Sequence, residues 1–133
     1  MESFSIRTQE RTQFVDITRE AQSAASRLGL KTGVITLFVP HTTAGITINE
    51  NADPDVTSDI ADALNRLVPW KAGYRHSEGN AAAHVKASII GSAVQVVVEG
   101  GLLRLGTWQA VYFCEFDGPR SRSVWVVGVD AVE

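Results

Sequence analysis

Residues 92–130 read SAVQVVVEGGLLRLGTWQAVYFCEFDGPRSRSVWVVGVD, and this stretch decides the fold. β-Branched and aromatic residues crowd into four runs, 92–99, 102–106, 109–116 and 121–130, with glycine-containing turns between them. All four runs read as strands. The tetrapeptide Asp117-Gly118-Pro119-Arg120 predicts a tight turn, so that the last two strands form a hairpin. Consecutive strands without helices between them pair antiparallel, because a parallel pair needs a long crossover.

The start of the chain follows a related pattern. Residues 3–8 alternate, with Phe4 and Ile6 against Ser5 and Arg7, and residues 13–18 alternate again through Phe14, Val15 and Ile17. Together they predict a second hairpin. Residues 33–40, GVITLFVP, form a buried apolar strand, and residues 45–50, GITINE, another. The first predicted helix spans about 19–28, with Thr18 as N-cap, an Ala21, Ala24, Ala25 and Leu28 stripe, and Gly29 as its stop. The second has the clearest start: Asp53 caps it, Pro54 takes the first position, and Val56, Ile60, Leu64 and Leu67 form its apolar stripe before Pro69. The third runs from a cap at Asn80 to Ile90, with Ala82, Val85 and Ile89 as its apolar face. Residues 70–79 carry no period and read as loop. Strands clustered at both ends of the chain, rather than alternating with helices, predict an α+β fold. The expectation is one domain, 1–133, built as a mainly antiparallel β-sandwich with about three helices.

Composition excludes whole classes. With 133 residues, 44% of them hydrophobic, the chain buries a core without disulfide staples and is not a disordered segment. Its apolar runs fall short of the roughly 20 residues a membrane-spanning helix needs, so no membrane partner is expected. The opening residues MESFSIRTQE lack the basic and apolar regions of a signal peptide, and the single Cys114 has no internal partner. Both features predict a cytoplasmic protein. Twelve Lys and Arg against fifteen Asp and Glu leave a net charge of −3, which gives no general attraction to nucleic acid.

The residues that carry chemistry fall into three clusters at strand ends and loops. The first is His41-Thr42-Thr43 with Asn49-Glu50-Asn51 and Asp53; the second is His76, Glu78, Asn80 and His84; the third is Glu115, Asp117 and Arg120. A sandwich can bring all three to one rim. Three imidazoles suit a divalent metal, zinc or magnesium, with an open coordination position. The alternative is three histidines making separate hydrogen bonds. Gly79 and the small residues after Asn80 put flexible backbone at a helix N-terminus, which favours phosphate. There Asn80 either caps its own helix or serves the anion, and Lys86 and Arg120 either add charge or are solvated. Glu78 and Asp117 are candidates for acid–base work. Glu115 lies in an otherwise apolar strand, where an unpaired inward charge is costly. Cys114 reads as core, Trp108 and Trp125 as core or subunit interface, and Trp70 as packing or the mouth of a site. No phosphate-loop, GxGxxG, GxSxG or CxxC motif is present.

Three segments carry a resemblance that spans essentially the whole chain. They are His41-Thr42-Thr43-Ala44-Gly45-Ile46-Thr47-Ile48-Asn49-Glu50-Asn51-Ala52-Asp53-Pro54, then His76-Ser77-Glu78-Gly79-Asn80-Ala81-Ala82-Ala83-His84-Val85-Lys86, then Leu105-Gly106-Thr107-Trp108-Gln109 followed by Glu115-Phe116-Asp117-Gly118-Pro119-Arg120. In content and order they resemble the YjbQ-like family. The resemblance implies an α+β sandwich assembled as a homotrimer, with a metal or anion site around His41, His76 and His84. It also implies a weak thiamine-phosphate synthase activity, in which a hydroxymethylpyrimidine diphosphate and a thiazole phosphate are joined and pyrophosphate leaves. In that reaction Glu78, Asp117 and Arg120 are the expected catalytic residues, and Asn80 and Lys86 the expected phosphate contacts. The alternative is a homotrimer that binds a metal or a phosphorylated metabolite without efficient catalysis.

Overall fold

The computed structural model describes residues 1–132; Glu133, the last residue of the expected domain, lies outside them. In chain order the elements are β1 (Glu2–Arg7), β2 (Gln13–Asp16), α1 (Thr18–Leu28), β3 (Gly33–Phe38), β4 (Ala44–Glu50), α2 (Pro54–Leu67), α3 (Ala81–Ile90), β5 (Ala93–Glu99), β6 (Leu102–Leu103), β7 (Gln109–Glu115) and β8 (Ser121–Asp130). The elements are those predicted, although β6 keeps only two residues of its run. Every strand pair is antiparallel, and the strands form a five-stranded sheet, β1-β8-β3-β5-β6, and a three-stranded sheet, β2-β7-β4.

Neither predicted hairpin forms. β1 pairs with β8 and β2 with β7, so each supposed hairpin is split between the two sheets. Burial supplies the reason. β7 is covered on both faces from Ala110 to Glu115, whereas the well-buried residues of β8, Arg122, Val124 and Val126, lie on one face. A strand buried on both sides needs the middle of the molecule, and one buried on a single side can close an outer layer. The chain therefore changes layer at residues 8–12 and again at 117–120. These two segments hold each other: Gly118 N–H donates to the Arg11 carbonyl (3.1 Å), Thr8 N–H to the Arg120 carbonyl (2.9 Å), and Arg120 N–H to Thr8 Oγ1 (2.9 Å). Only glycine fits at 118, since a Cβ there would stand 2.2 Å from the Glu10 carbonyl oxygen. Residues 39–43, between β3 and β4, make a third change of layer.

Between the sheets lies the main core. Ile35, Leu37, Val96, Val98, Val124 and Val126 of the larger sheet meet Ile46, Val111 and Phe113 of the smaller, and Ala21, Ala24 and Ala25 of α1 close one side. Each fully buried aliphatic or aromatic side chain contributes about 1.5–3 kcal/mol relative to exposure. A second core forms on the other face of β7, where Tyr112, Cys114 and Phe116 pack with Leu64 of α2 and Ala83 and Ala87 of α3. Cys114 is thus core, as expected.

Local details correct some of the expected helix features. Asp53 caps α2 through the Asp55 N–H (2.9 Å), and Gly29 ends α1 with φ 69°. Thr18, however, is inside α1: its N–H donates to Asp16 Oδ1 (2.9 Å), and its hydroxyl accepts from Val111 N–H (2.9 Å). The apolar face of α3 is also not the expected one. Ala82 is buried, but Val85 and Ile89 are exposed, and Ala83, Lys86 and Ala87 face the interior. Small residues permit close approach to β4, where a Cβ on Gly45 would meet the Gly91 carbonyl at 2.7 Å. Leu67 likewise lies exposed at the end of the α2 stripe. Trp108, read as core or subunit interface, lies exposed in the turn before β7 and is not core.

Candidate functional site

Residues 8–12, 39–43 and 117–120, three of the segments by which the chain changes layer, meet at one end of the sandwich, beside the start of α3. A cavity of about 450 Å³ opens there. His41, Thr42 and Thr43 line it from the 39–43 segment, and Asp117, Arg120 and Arg122 from the β7–β8 side. His76, Glu78, Asn80 and His84 come from the loop before α3 and its first turn. The cavity gathers His41, His76, Glu78, Asn80, His84, Asp117 and Arg120 as expected, but not Lys86, nor Asn49, Glu50, Asn51 and Asp53, which stand at and beyond the far end of β4, nor Glu115, which lies beneath it. Residues 84 and 86 stand about 200° apart around a helix, so Lys86 turns away. Its Nζ donates to Asn65 Oδ1 of α2, and burial, helped by the charge of Arg11, lowers its pKa.

Beneath the cavity lies an ion pair. Glu115 is fully buried on the face of β7 that carries Val111 and Phe113. Arg122 of β8 reaches it with Nε to Oε1 at 2.8 Å and with Nη2 to Oε2. The carboxylate also accepts from Thr8 Oγ1 (2.7 Å) and from the Asp117 N–H (3.0 Å), and Arg122 Nη2 donates to Thr43 Oγ1 (2.9 Å). One buried pair thereby fastens these three segments. Burial pushes the Glu115 carboxyl up, but hydrogen bonds from Arg122, Thr8 and Asp117, with the Arg122 charge, outweigh it and hold it below the usual glutamate range. Arg122 was not among the residues singled out by sequence. The signal that finds it is parity: it stands two residues before Val124 and four before Val126, on their face of the strand, as Glu115 stands two after Phe113.

His41 sits just past the end of β3. The last residue of β8 paired with β3 is Trp125, opposite Phe38, and Ser123 lies beyond that pairing. His41 Nε2 accepts the Ser123 N–H at 2.9 Å, taking the position that one more strand residue would fill. Burial and the nearby Arg122 charge lower the His41 pKa, with Glu115 opposing them, so the ring is neutral at pH 7.

Asn80 does not cap α3 with its side chain. Its Nδ2 donates to Asp117 Oδ2 at 2.9 Å, and its buried Oδ1 has no partner among the described residues. Arg120 completes the group, with Nη2 to Asp117 Oδ2 (3.1 Å) and Nε to the Asp117 carbonyl (2.8 Å). His76 and His84 meet edge to face with ring centroids 5.2 Å apart, and Glu78 stands 3.8 Å from His76 Nε2.

A three-histidine metal centre does not fit this arrangement. The His41 lone pair at Nε2 is engaged by Ser123 N–H. Among the described residues no three His, Cys, Asp or Glu side chains come close enough to share an ion. Of the three histidines, His76 and His84 are the two whose rings meet. The rest of the wall sets the donors of Thr42, Thr43, Arg120 and Arg122 beside the carboxylates of Glu78 and Asp117, and the guanidinium groups suit an anion.

The cavity continues on both sides. Past His41 and His84 lies a space of about 500 Å³ reaching Ser88 and Ser92. Past His76 lies another of about 240 Å³, bordered by Trp70 and Tyr74. Trp70 packs under the Arg11 guanidinium, 4.2 Å from its ring centroid. A larger cavity, of about 720 Å³ beside the first turn of α1, is lined by none of the expected site residues.

Comparison with known proteins gives a consistent result. The family model described as UPF0047 protein YjbQ-like matches residues 2–130. The UPF0047 protein YugU of Bacillus subtilis is 48% identical over 127 residues, covering 95% of this chain and 96% of YugU. The UPF0047 protein MJ1081 of Methanocaldococcus jannaschii is 47% identical over 123 residues, covering 92% of this chain and 89% of MJ1081. The crystal structure of an uncharacterized conserved protein of the YjbQ/UPF0047 family from Clostridium acetobutylicum superposes with a TM-score of 0.94 at 50% identity, covering 97% of this chain and 100% of that chain.

Proposed function

The chain belongs to the YjbQ-like UPF0047 family, and from that membership and the chemistry of the cavity we propose that it acts on a small phosphorylated metabolite. One observation carries the reading: Asn80 and Arg120, with Arg122 and the histidines, converge on one cavity together with the carboxylates of Glu78 and Asp117. Guanidinium and imidazole donors neutralise the oxygens of a phosphate or a departing pyrophosphate. A carboxylate beside them orients an attacking group or takes its proton. The proposed reaction joins a hydroxymethylpyrimidine diphosphate to a thiazole phosphate with release of pyrophosphate. Arg120 would hold the leaving group, Asn80 a phosphate oxygen, and Glu78 or Asp117 the incoming partner. The test is pyrophosphate release from these two substrates by the purified protein, compared with an Arg120→Ala variant. Release that the variant loses supports the enzyme.

A binding-only reading has its own support. Asp117 is already engaged by Asn80 and Arg120, and Glu78 is exposed, so neither carboxylate stands free and desolvated as a strong base does. Phosphate binding without any pyrophosphate release favours this alternative.

A divalent cation is proposed only at His76 and His84. Two imidazoles supply half of a zinc shell; magnesium prefers oxygen ligands. Elemental analysis of the wild type and of a His76→Ala/His84→Ala variant tests this.

We also propose that three copies associate and that the protein works in the cytoplasm. For the trimer, the outer face of the five-stranded sheet supports the reading. Phe38 and Trp125 stack there at 5.8 Å, and Val127, Val129 and Val97 extend an exposed apolar patch. Patches of this kind on a soluble chain mark contact surfaces. No helix among the described residues is long and apolar enough to cross a membrane.

A further inference from the structure

We infer that His41 serves this cavity as a hydrogen-bond donor to an anion through Nδ1–H, and not as a metal ligand. The inference rests on the anion-binding reading above and assigns a role to one of its groups. A neutral imidazole has one N–H and one lone pair, on opposite nitrogens. The lone pair on Nε2 is committed to the Ser123 N–H at 2.9 Å. The proton therefore lies on Nδ1.

A metal needs a lone pair, and in this tautomer Nδ1 has none to give. Using Nε2 instead would strand the part-buried Ser123 N–H at the point where β3 has ended, and an N–H shielded from water without a partner is costly. The two roles are thus exclusive. No acceptor among the described residues takes the Nδ1–H, and His41 borders both the central cavity and its neighbour past His84. Beside it, Arg122 has its Nε and Nη2 committed to Glu115 and Thr43. His41 Nδ1–H is therefore a donor left over for a ligand, held in direction by the strand ladder itself.

The two nitrogens can be tested separately. His41→Gln keeps an acceptor where Nε2 meets Ser123 and loses the donor at Nδ1. His41→Asn keeps an amide donor near Nδ1 and loses the Ser123 contact. Inorganic phosphate, titrated calorimetrically into the full chain in the presence of chelator, is the probe. The expected result is a loss of about tenfold or more in affinity for His41→Gln, the scale of one hydrogen bond to a charged group. His41→Asn is expected to bind more nearly like the wild type while melting at a lower temperature.

Long-range proton–nitrogen NMR of histidine-labelled protein reads the tautomer directly, with the His41 signal identified by its absence in either variant. Nδ1 in the protonated range and Nε2 in the unprotonated range support the inference; the reverse overturns it. Zinc titration supplies a further arm. A His41→Gln variant that binds as much zinc as the wild type supports the inference, and one that loses a site overturns it. If the wild type binds no phosphate, the anion-binding reading fails, and the donor role with it. In that case NMR still decides the tautomer.

Discussion

Asn80 and Asp117, 37 positions apart, are joined by a hydrogen bond of 2.9 Å from Nδ2 to Oδ2, which links the loop before α3 to the segment between β7 and β8. An Asn80→Asp substitution replaces the donor with a second carboxylate. At pH 7 the two charges repel, and a part-buried bond is lost. The expected cost is about 1–3 kcal/mol, seen as a lower melting temperature. An Asn80→Asp variant that melts like the wild type would contradict the contact.

The buried pair Glu115–Arg122 makes a different prediction. Removing one partner by Glu115→Ala or Arg122→Ala leaves an uncompensated charge in the core. Each should destabilise the fold by about 3–5 kcal/mol in urea unfolding. Replacing both together, by Glu115→Leu with Arg122→Met, should cost less than either single removal, because no charge is then stranded. Additive costs would mean that the two side chains do not interact.

Two groups set the pH dependence, in separate windows. Burial lowers the His41 pKa, so folding favours its neutral form. That stabilisation is present above the unfolded value near 6.5 and is lost as pH falls from about 6.5 through the lower folded value. The Glu115 pKa is also depressed, against the pull of burial, by its hydrogen bonds and by Arg122. Its stabilisation is present above the ordinary glutamate value of about 4.3 and is lost as pH falls through the still lower folded value. Unfolding free energy measured from pH 8 to pH 3 should fall in both windows. His41→Gln should flatten the upper one and leave the lower.

The exposed patch around Trp125 predicts assembly. Light scattering on the intact chain should give three times the 14.4 kDa chain mass. Trp125→Asp with Val127→Asp places charges on the apolar face without touching the inter-sheet core, and should give a folded monomer. A monomeric wild type would count against the trimer.

Much of the architecture was legible in the sequence, and the misreadings have identifiable causes. Element identity follows from local pattern: β-branched runs, the Asp53-Pro54 start of α2 and Gly29 at the end of α1 are decided within a few residues. Partner choice is not local. The turn residues Asp117 and Gly118 favour a bend, but a bend does not say whether the chain returns to the same sheet or passes to another. The burial of β7 on both faces decided that. The α3 face was misread because hydrophobicity pointed to Val85 and Ile89, while the inward face is built from alanines and Lys86. The histidines and carboxylates of the site were visible as polar residues at strand ends. Arg122 was hidden, because an arginine between two serines reads as solvated surface unless its parity with Val124 is followed.

The chain passes between its two layers in three segments at one end of the sandwich, and the cavity lies against all three. Whatever settles there touches both layers and acts as a rivet against their delamination. A molecule present at one hundred times its dissociation constant would add about 2.7 kcal/mol to the work of pulling the layers apart. An unknown cargo for this protein can therefore be sought by heat alone, among compounds that postpone melting.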